Sequence, residues 1–203
     1  MTDQSIETKS KIMEVARILF ANQGFEGTSV REIAKSADVN VASVNYHFSN
    51  KENLFAEILR IGYLECSQSM RALYDNEKPK LEDLLVHFFN YFIQKSHDLV
   101  SLFKMMMSTQ HSHHLMSQGT EDELSGPPGG KVIEEAILKE VGEGISQEDL
   151  HFAVRCLFSH VIHSSIMFNC CFKQNKFPFT SHADIEKGIR RLSRIVLNDL
   201  KRS

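Results

Sequence analysis

Three helical stripes inside about forty residues, separated by two tight breaks, constrain this chain more than any other feature of its sequence. Ile12, Val15, Ala16, Leu19 and Phe20 recur at helical spacing and fall on one face. That stripe ends at Asn22-Gln23-Gly24, where glycine supplies a helix stop. After a connector, Phe25-Glu26-Gly27, the run Ser29-Val30-Arg31-Glu32 has the spacing of a capping box: serine accepts a free N–H and glutamate returns one. The helix it opens is short, with Val30, Ile33, Ala34 and Ala37 inward. Asp38-Val39-Asn40 breaks it, and Asn40 is placed to cap a third helix carrying Val41, Val44 and Phe48. Ser49 and Asn50 then open a long fourth helix, residues 50–76, with Leu54, Phe55, Ile58, Leu59, Ile61 and Leu64 on its buried side.

The same 3.6-residue period runs through the rest of the chain, and no alternating run is long enough for a strand, so the expected fold class is all-α. Pro79 marks a boundary, after which residues 81–96 and 99–116 read as helices rich in Phe and Met. Residues 117–130, ending Gly126-Pro127-Pro128-Gly129-Gly130, are a loop, because neither Pro nor Gly continues a helix. Helices follow at 131–141, at 146–172 with Ser146-x-x-Asp149 at its start, and at 181–202 with Ile185, Ile189, Leu192, Val196 and Leu200 as its stripe.

At 203 residues and 42% apolar, the chain has room for a small N-terminal head and a larger body with its own core. No apolar stretch reaches the roughly 18 residues a membrane span needs; residues 158–172 come nearest and are interrupted by His160, His163, Ser164, Ser165 and Asn169. The polar start, with both charge signs, has no leader character, and Cys66, Cys156, Cys170 and Cys171 form no CxxC pair. The expected address is the cytoplasm, with reduced thiols. Net charge is −3, and in residues 1–60 the basic positions 9, 11, 17, 31, 35, 51 and 60 are outnumbered by acidic 3, 7, 14, 26, 32, 38, 52 and 57. A basic footprint is absent, so a nucleic-acid reading has to rest on local geometry.

Two helices joined by a turn of about four residues, after a third, have the geometry of a helix-turn-helix, whose second helix enters the major groove. The residues are more specific than the geometry. Phe20-Ala21-Asn22-Gln23-Gly24-Phe25-Glu26-Gly27-Thr28-Ser29-Val30-Arg31-Glu32-Ile33-Ala34, then Ala37-Asp38-Val39-Asn40, then Val44-Asn45-Tyr46-His47-Phe48-Ser49-Asn50-Lys51-Glu52-Asn53-Leu54, closely resemble the DNA-reading head of the TetR family of transcriptional regulators, over residues 10–58. The Val-Asn-Tyr-His-Phe run resembles one subgroup of it. The resemblance implies a DNA-binding domain at 1–50 and a helical effector-binding and dimerisation domain at 51–203. It implies a homodimer on double-stranded operator DNA, more often repressing than activating, released by a small-molecule effector.

By the same resemblance, Thr28 and Ser29 contact phosphate at the start of the second helix, where free N–H groups favour an anion; both are also ordinary caps. Arg31 takes a base or phosphate, or else a neighbouring carboxylate. Asn40, Val41, Ala42 and Ser43 lie on the first turn of the reading helix, with Val41 available for a thymine methyl. Tyr46 and His47 are implied to reach the backbone. Asn45 stands where most of the family has tyrosine, and an amide can read adenine. Lys51 is a cation in a first helical turn, which the dipole disfavours by roughly 0.3–1 kcal/mol; a phosphate beside it would account for that. Asp38 replaces the turn glycine of the family, at some cost in backbone strain.

By the same resemblance the last two helices pair with those of a second copy, the alternative being that both stripes are internal core. Lys187, Arg190, Arg191 and Arg194 read as a solvated face. The Phe- and Met-rich middle suits a core, and the resemblance adds a cavity for an apolar or aromatic effector bordered by some of Phe88, Tyr91, Phe92, Phe103, Met106, Met107 and Phe158. Cys156, His160 and His163 share a helix face, and His111, His113 and His114 cluster elsewhere, which opens an alternative: a metal- or thiol-dependent helical sensor or enzyme. Without metal-motif spacing, a nucleophile–base pair or a phosphate loop, the expectation is a non-enzyme with no metal and no cofactor.

Overall fold

The computed structural model describes residues 3–95, 100, 101, 105, 126–172 and 181–202. Every regular element among them is helical. They divide into two compact units, one up to Leu64 together with Met105, the other from Glu65 to Lys95 and from Gly126 onward.

The first unit holds α1 (Asp3–Gly27), α2 (Val30–Ser36), α3 (Val41–Phe48) and the start of α4 (Lys51–Glu77). Gly24, the expected stop, sits at φ 75°, ψ 173° and kinks α1, with Phe25–Gly27 continuing as a helical turn beyond it. Ile12, Ala16, Phe20, Ile33, Leu54 and Phe55 are fully buried in one core. Each large side chain removed from water there stabilises the fold by about 1.5–3 kcal/mol. Ile61 and Leu64, expected inside, are only half-buried, because the core of this unit thins beyond Leu59. Lys9 bonds Glu57 at 3.2 Å and lies 5.7 Å from the Phe48 ring centroid, so one side chain of α1 touches both α3 and α4. Arg60 bonds the same Glu57 carboxylate, and the two cations hold it below the usual carboxylate range, Arg60 first.

The second unit contains the rest of α4, α5 (Leu81–Gln94), α6 (Gly130–Val141), α7 (Gln147–Met167) running into a π-helical turn, Phe168–Phe172, and α8 (His182–Leu200). Helix α5 is its axis, burying Leu84, Leu85, Phe88, Phe89 and Phe92 against α7 and α8. No side chain on its own helix caps α5; Glu140 of α6 accepts from Leu81 N at 2.6 Å, and Lys139 donates to Lys78 O at 2.9 Å. Ahead of α6, Gly129 has φ 72°, and a Cβ there would lie 2.5 Å from Met70 Sδ, so no other residue fits without displacement. Ser146 caps α7 through Asp149 N at 3.0 Å, and Ser181 with Asp184 forms a complete capping box on α8.

Three expectations change in detail. The Ser29–Glu32 box is half made: Ser29 Oγ accepts from Glu32 N at 3.1 Å, but the Glu32 carboxylate accepts from Gln23 Nε2 at 2.8 Å instead of reaching back. The α8 stripe splits, with Ile185, Ile189 and Leu200 buried inside the unit while Leu192 and Val196 stay half-exposed. The basic face of α8 is not simply solvated. Arg190 pairs with Asp83, and Arg194 Nε bonds Glu82 at 3.0 Å, tying α8 to the first turn of α5.

Candidate nucleic-acid interface

The turn between α2 and α3 is built by backbone bonds. Val39 N donates to Ala34 O at 2.9 Å and Asp38 N to Lys35 O at 3.2 Å, the paired pattern of a Schellman stop, with Asp38 at φ 52° in the left-handed position. Aspartate tolerates that conformation better than most residues, which is why the turn forms without glycine. Asn40 Oδ1 then accepts from Ser43 N at 2.7 Å and from Ser43 Oγ at 3.0 Å, starting α3.

Val44 and Phe48 anchor α3 in the core, and helical geometry turns Val41, Ala42, Asn45 and Tyr46 outward together. Tyr46 is 79% exposed and Val41 38%. A large aromatic left open on a helix already held by two apolar anchors has no packing reason to be there. Asn40 is also exposed, its amide oxygen used by the cap; its amide nitrogen is the part a base could meet. Ser43 is half-buried and bound to Asn40. His47 lies edge-on to Tyr46, centroids 5.1 Å apart, with Nδ1 buried and unpartnered. A buried orphan N–H is rarer than an unfilled lone pair, which favours the tautomer with its proton on Nε2.

At the other edge, Ser29 and Arg31 are exposed, whereas Thr28 is 1% exposed and donates its hydroxyl to Gly24 O at 2.8 Å. Lys51 has an internal explanation that its sequence position does not reveal. Its ammonium donates to Phe25 O at 2.8 Å and Thr28 O at 3.1 Å and stands 4.1 Å from the Phe25 ring centroid. Hydrogen bonds from a charged donor contribute about 1.5–3 kcal/mol each, enough to offset the dipole cost without a phosphate.

Residues 12–58 match the sequence model of the "Bacterial regulatory proteins, tetR family". Over these residues the chain carries the sequence pattern of that family. YttP of Bacillus subtilis strain 168, an HTH-type transcriptional regulator by name, is 31% identical over 136 residues, 67% of this chain and 56% of YttP. The HTH-type transcriptional regulator AcrR of Shigella flexneri is 37% identical over 86 residues, 40% of each chain. The chain thus spans about half, or less, of the length of these relatives. In fold, the fatty acid degradation regulator FadR from Bacillus halodurans superposes with a TM-score of 0.67 at 18% identity, covering 96% of both chains.

Outside the TetR-type head, the described members of the suggested effector set meet at Phe92, whose ring centroid lies 5.6 Å from that of Tyr91. Phe88 and Phe92 are sealed in the core, with Phe158 edge-on to Phe92 at 6.0 Å. Tyr91 borders a cleft of about 310 Å³ that is otherwise lined by Leu73, Asn76, Glu77, His87, Asn90 and Gln94. Phe103, Met106 and Met107 lie outside the described residues, as do His111, His113 and His114. Among the described residues no three His, Cys, Asp or Glu side chains are grouped to hold a metal ion. Cys66 is buried, which pushes its thiol up to about 12, so it is inert as a nucleophile. No helix among the described residues is long and apolar enough to cross a membrane.

Sequence reasoning missed the partners of Lys51, the Gln23–Glu32 bond and the Lys9 bridge. No local pattern announces them, since the partners of Lys51 lie 23 and 26 residues upstream.

Proposed function

We propose that the chain is a dimeric, operator-binding transcriptional regulator, a repressor released by a small-molecule effector. One observation carries the DNA reading: the open face of α3, where Val41, Ala42, Asn45 and Tyr46 stand clear of a core that needs none of them. In this reading Asn40, Val41, Ala42, Ser43 and Asn45 meet base edges. Tyr46, His47, Ser29 and Arg31 meet the phosphates, while Thr28 and Lys51 serve that side from within, Thr28 by shaping the loop from its buried position and Lys51 by holding the loop's carbonyls. The Val-Asn-Tyr-His-Phe run supports a subgroup in which the readout at Asn45 differs from the tyrosine form.

The reading head is residues 1–50, and the body, 51–203, carries effector binding and dimerisation. Dimerisation uses α7 and α8, supported by apolar groups the unit leaves outside: Phe152, 61% exposed, Ile195, 54% exposed, and half-exposed Leu192 and Val196. The effector is apolar or aromatic, a reading that rests on the Phe/Met-rich composition of the middle region; binding tilts α4 and misplaces the heads. The protein works in the cytoplasm, where its DNA is, and is no enzyme.

The test is selection of bound duplexes from a random-sequence pool. Enrichment of a near-palindromic site with half-sites about one helical turn apart is the expected result. A pool that emerges without a preferred sequence removes the regulator reading.

A further inference from the structure

We infer that Lys51 acts on DNA binding as a positioning residue, by clasping the loop ahead of α2 to the start of α4 rather than by neutralising a phosphate. This rests on the operator-binding reading above. The loop is folded to receive it. Gly24 kinks α1, Thr28 N donates to Phe25 O and the Thr28 hydroxyl to Gly24 O, so the carbonyls of Phe25 and Thr28 converge. Lys51 Nζ fills that convergence with two bonds and rests on the Phe25 ring. Phe55, one turn along the same face of α4, meets Phe25 edge-on at 5.1 Å and Phe20 at 5.0 Å. Ring and ammonium therefore grip the loop from one helix face, and the next residue after Thr28 is Ser29, which caps α2.

An ammonium has three donors. Two are committed to carbonyls, and their direction fixes the Nζ against the loop. The clasp determines where α2 begins, and through the Asp38 turn how α3 is presented.

The experiment compares the full chain with Lys51→Met, which keeps the stem and loses the donors, and Lys51→Arg, which keeps a charged donor. Amide hydrogen exchange of the free protein is read across residues 28–36. Operator affinity is read against salt on a duplex selected by the wild-type chain. The clasp predicts at least tenfold faster exchange in Lys51→Met, weaker operator binding with the wild-type salt slope, and both shifts smaller in Lys51→Arg. Removing a phosphate contact lowers the slope by about 0.9; that loss, or unchanged exchange, overturns the inference. If Lys51→Met does not fold, Lys51→Gln, which keeps an uncharged amide donor group on a shorter stem, is read in the same way. Should the wild-type chain select no operator, the functional reading fails alone, because the exchange measurement needs no DNA and still decides the clasp.

Discussion

Asn45 and His47 sit two residues apart on α3 and differ in the way a readout residue and a backbone contact should differ. Asn45 is exposed with no packing duty, and an amide can pair with one base edge; His47 is half-buried with Nδ1 enclosed, which leaves Nε2–H as its one ring donor. Asn45→Ala is therefore expected to change the preferred base at one operator position, by about 1–3 kcal/mol of discrimination. His47→Ala should weaken all operators alike. Repeating the duplex selection with each variant checks both; unchanged preference in Asn45→Ala would remove it from the reading set. Asp38 offers a second residue-scale prediction. At φ 52° a non-glycine residue carries strain, so Asp38→Gly should raise stability by about 1 kcal/mol, a shift of about 2–4 °C in Tm, without altering the selected sequence. A lower Tm in calorimetry would mean that the aspartate makes up more than its backbone costs.

At the level of the helices, much of the layout is legible because caps and stops are local signals. Ser29, Asn40, Ser146 and Ser181 each cap the helix they were expected to start, and Gly24 breaks the helical path inside α1 at the expected stop. The failures are non-local. Glu32 follows the capping-box spacing yet is claimed by Gln23, and the cation at Lys51, odd in its own helix, is explained by carbonyls of another segment. Phe88 and Phe92 were ambiguous for a related reason: i, i+4 aromatics signal an inward face, and nothing in the spacing distinguishes a filled interior from a cavity wall. Helix α7 carries a pH prediction. Burial and the neighbouring His163 depress His160 below the ordinary imidazole value of 6.5. The neutral ring is then favoured in the folded state, so its contribution is complete above pH 6.5 and is lost as pH falls through the depressed value. Melting at fixed protein concentration should show stability falling from pH 7.5 to 5.5, with a shallower fall in His160→Gln. Identical slopes for the two proteins would contradict it.

For the whole molecule, operator binding as proposed requires two copies of the chain and one reading face on each. Ile195 and Phe152 are apolar, open and on the two helices proposed to pair. Ile195→Glu or Phe152→Glu should give monomer in ultracentrifugation and lower operator affinity at least tenfold, about 1.4 kcal/mol, while α3 is untouched. A variant that stays dimeric would move the interface elsewhere. The reading face itself is tested most directly at Ala42. This residue is exposed on the first turn of α3, where a carboxylate suits the helix dipole and disturbs no packing. Ala42→Glu should keep the wild-type Tm and the wild-type oligomeric state. Facing a groove lined by phosphates, the same carboxylate should abolish retention of the selected duplex, a loss of at least a hundredfold in affinity by about 2.7 kcal/mol. Binding of that duplex at wild-type affinity by a folded, dimeric Ala42→Glu protein would contradict the claim that α3 enters the DNA.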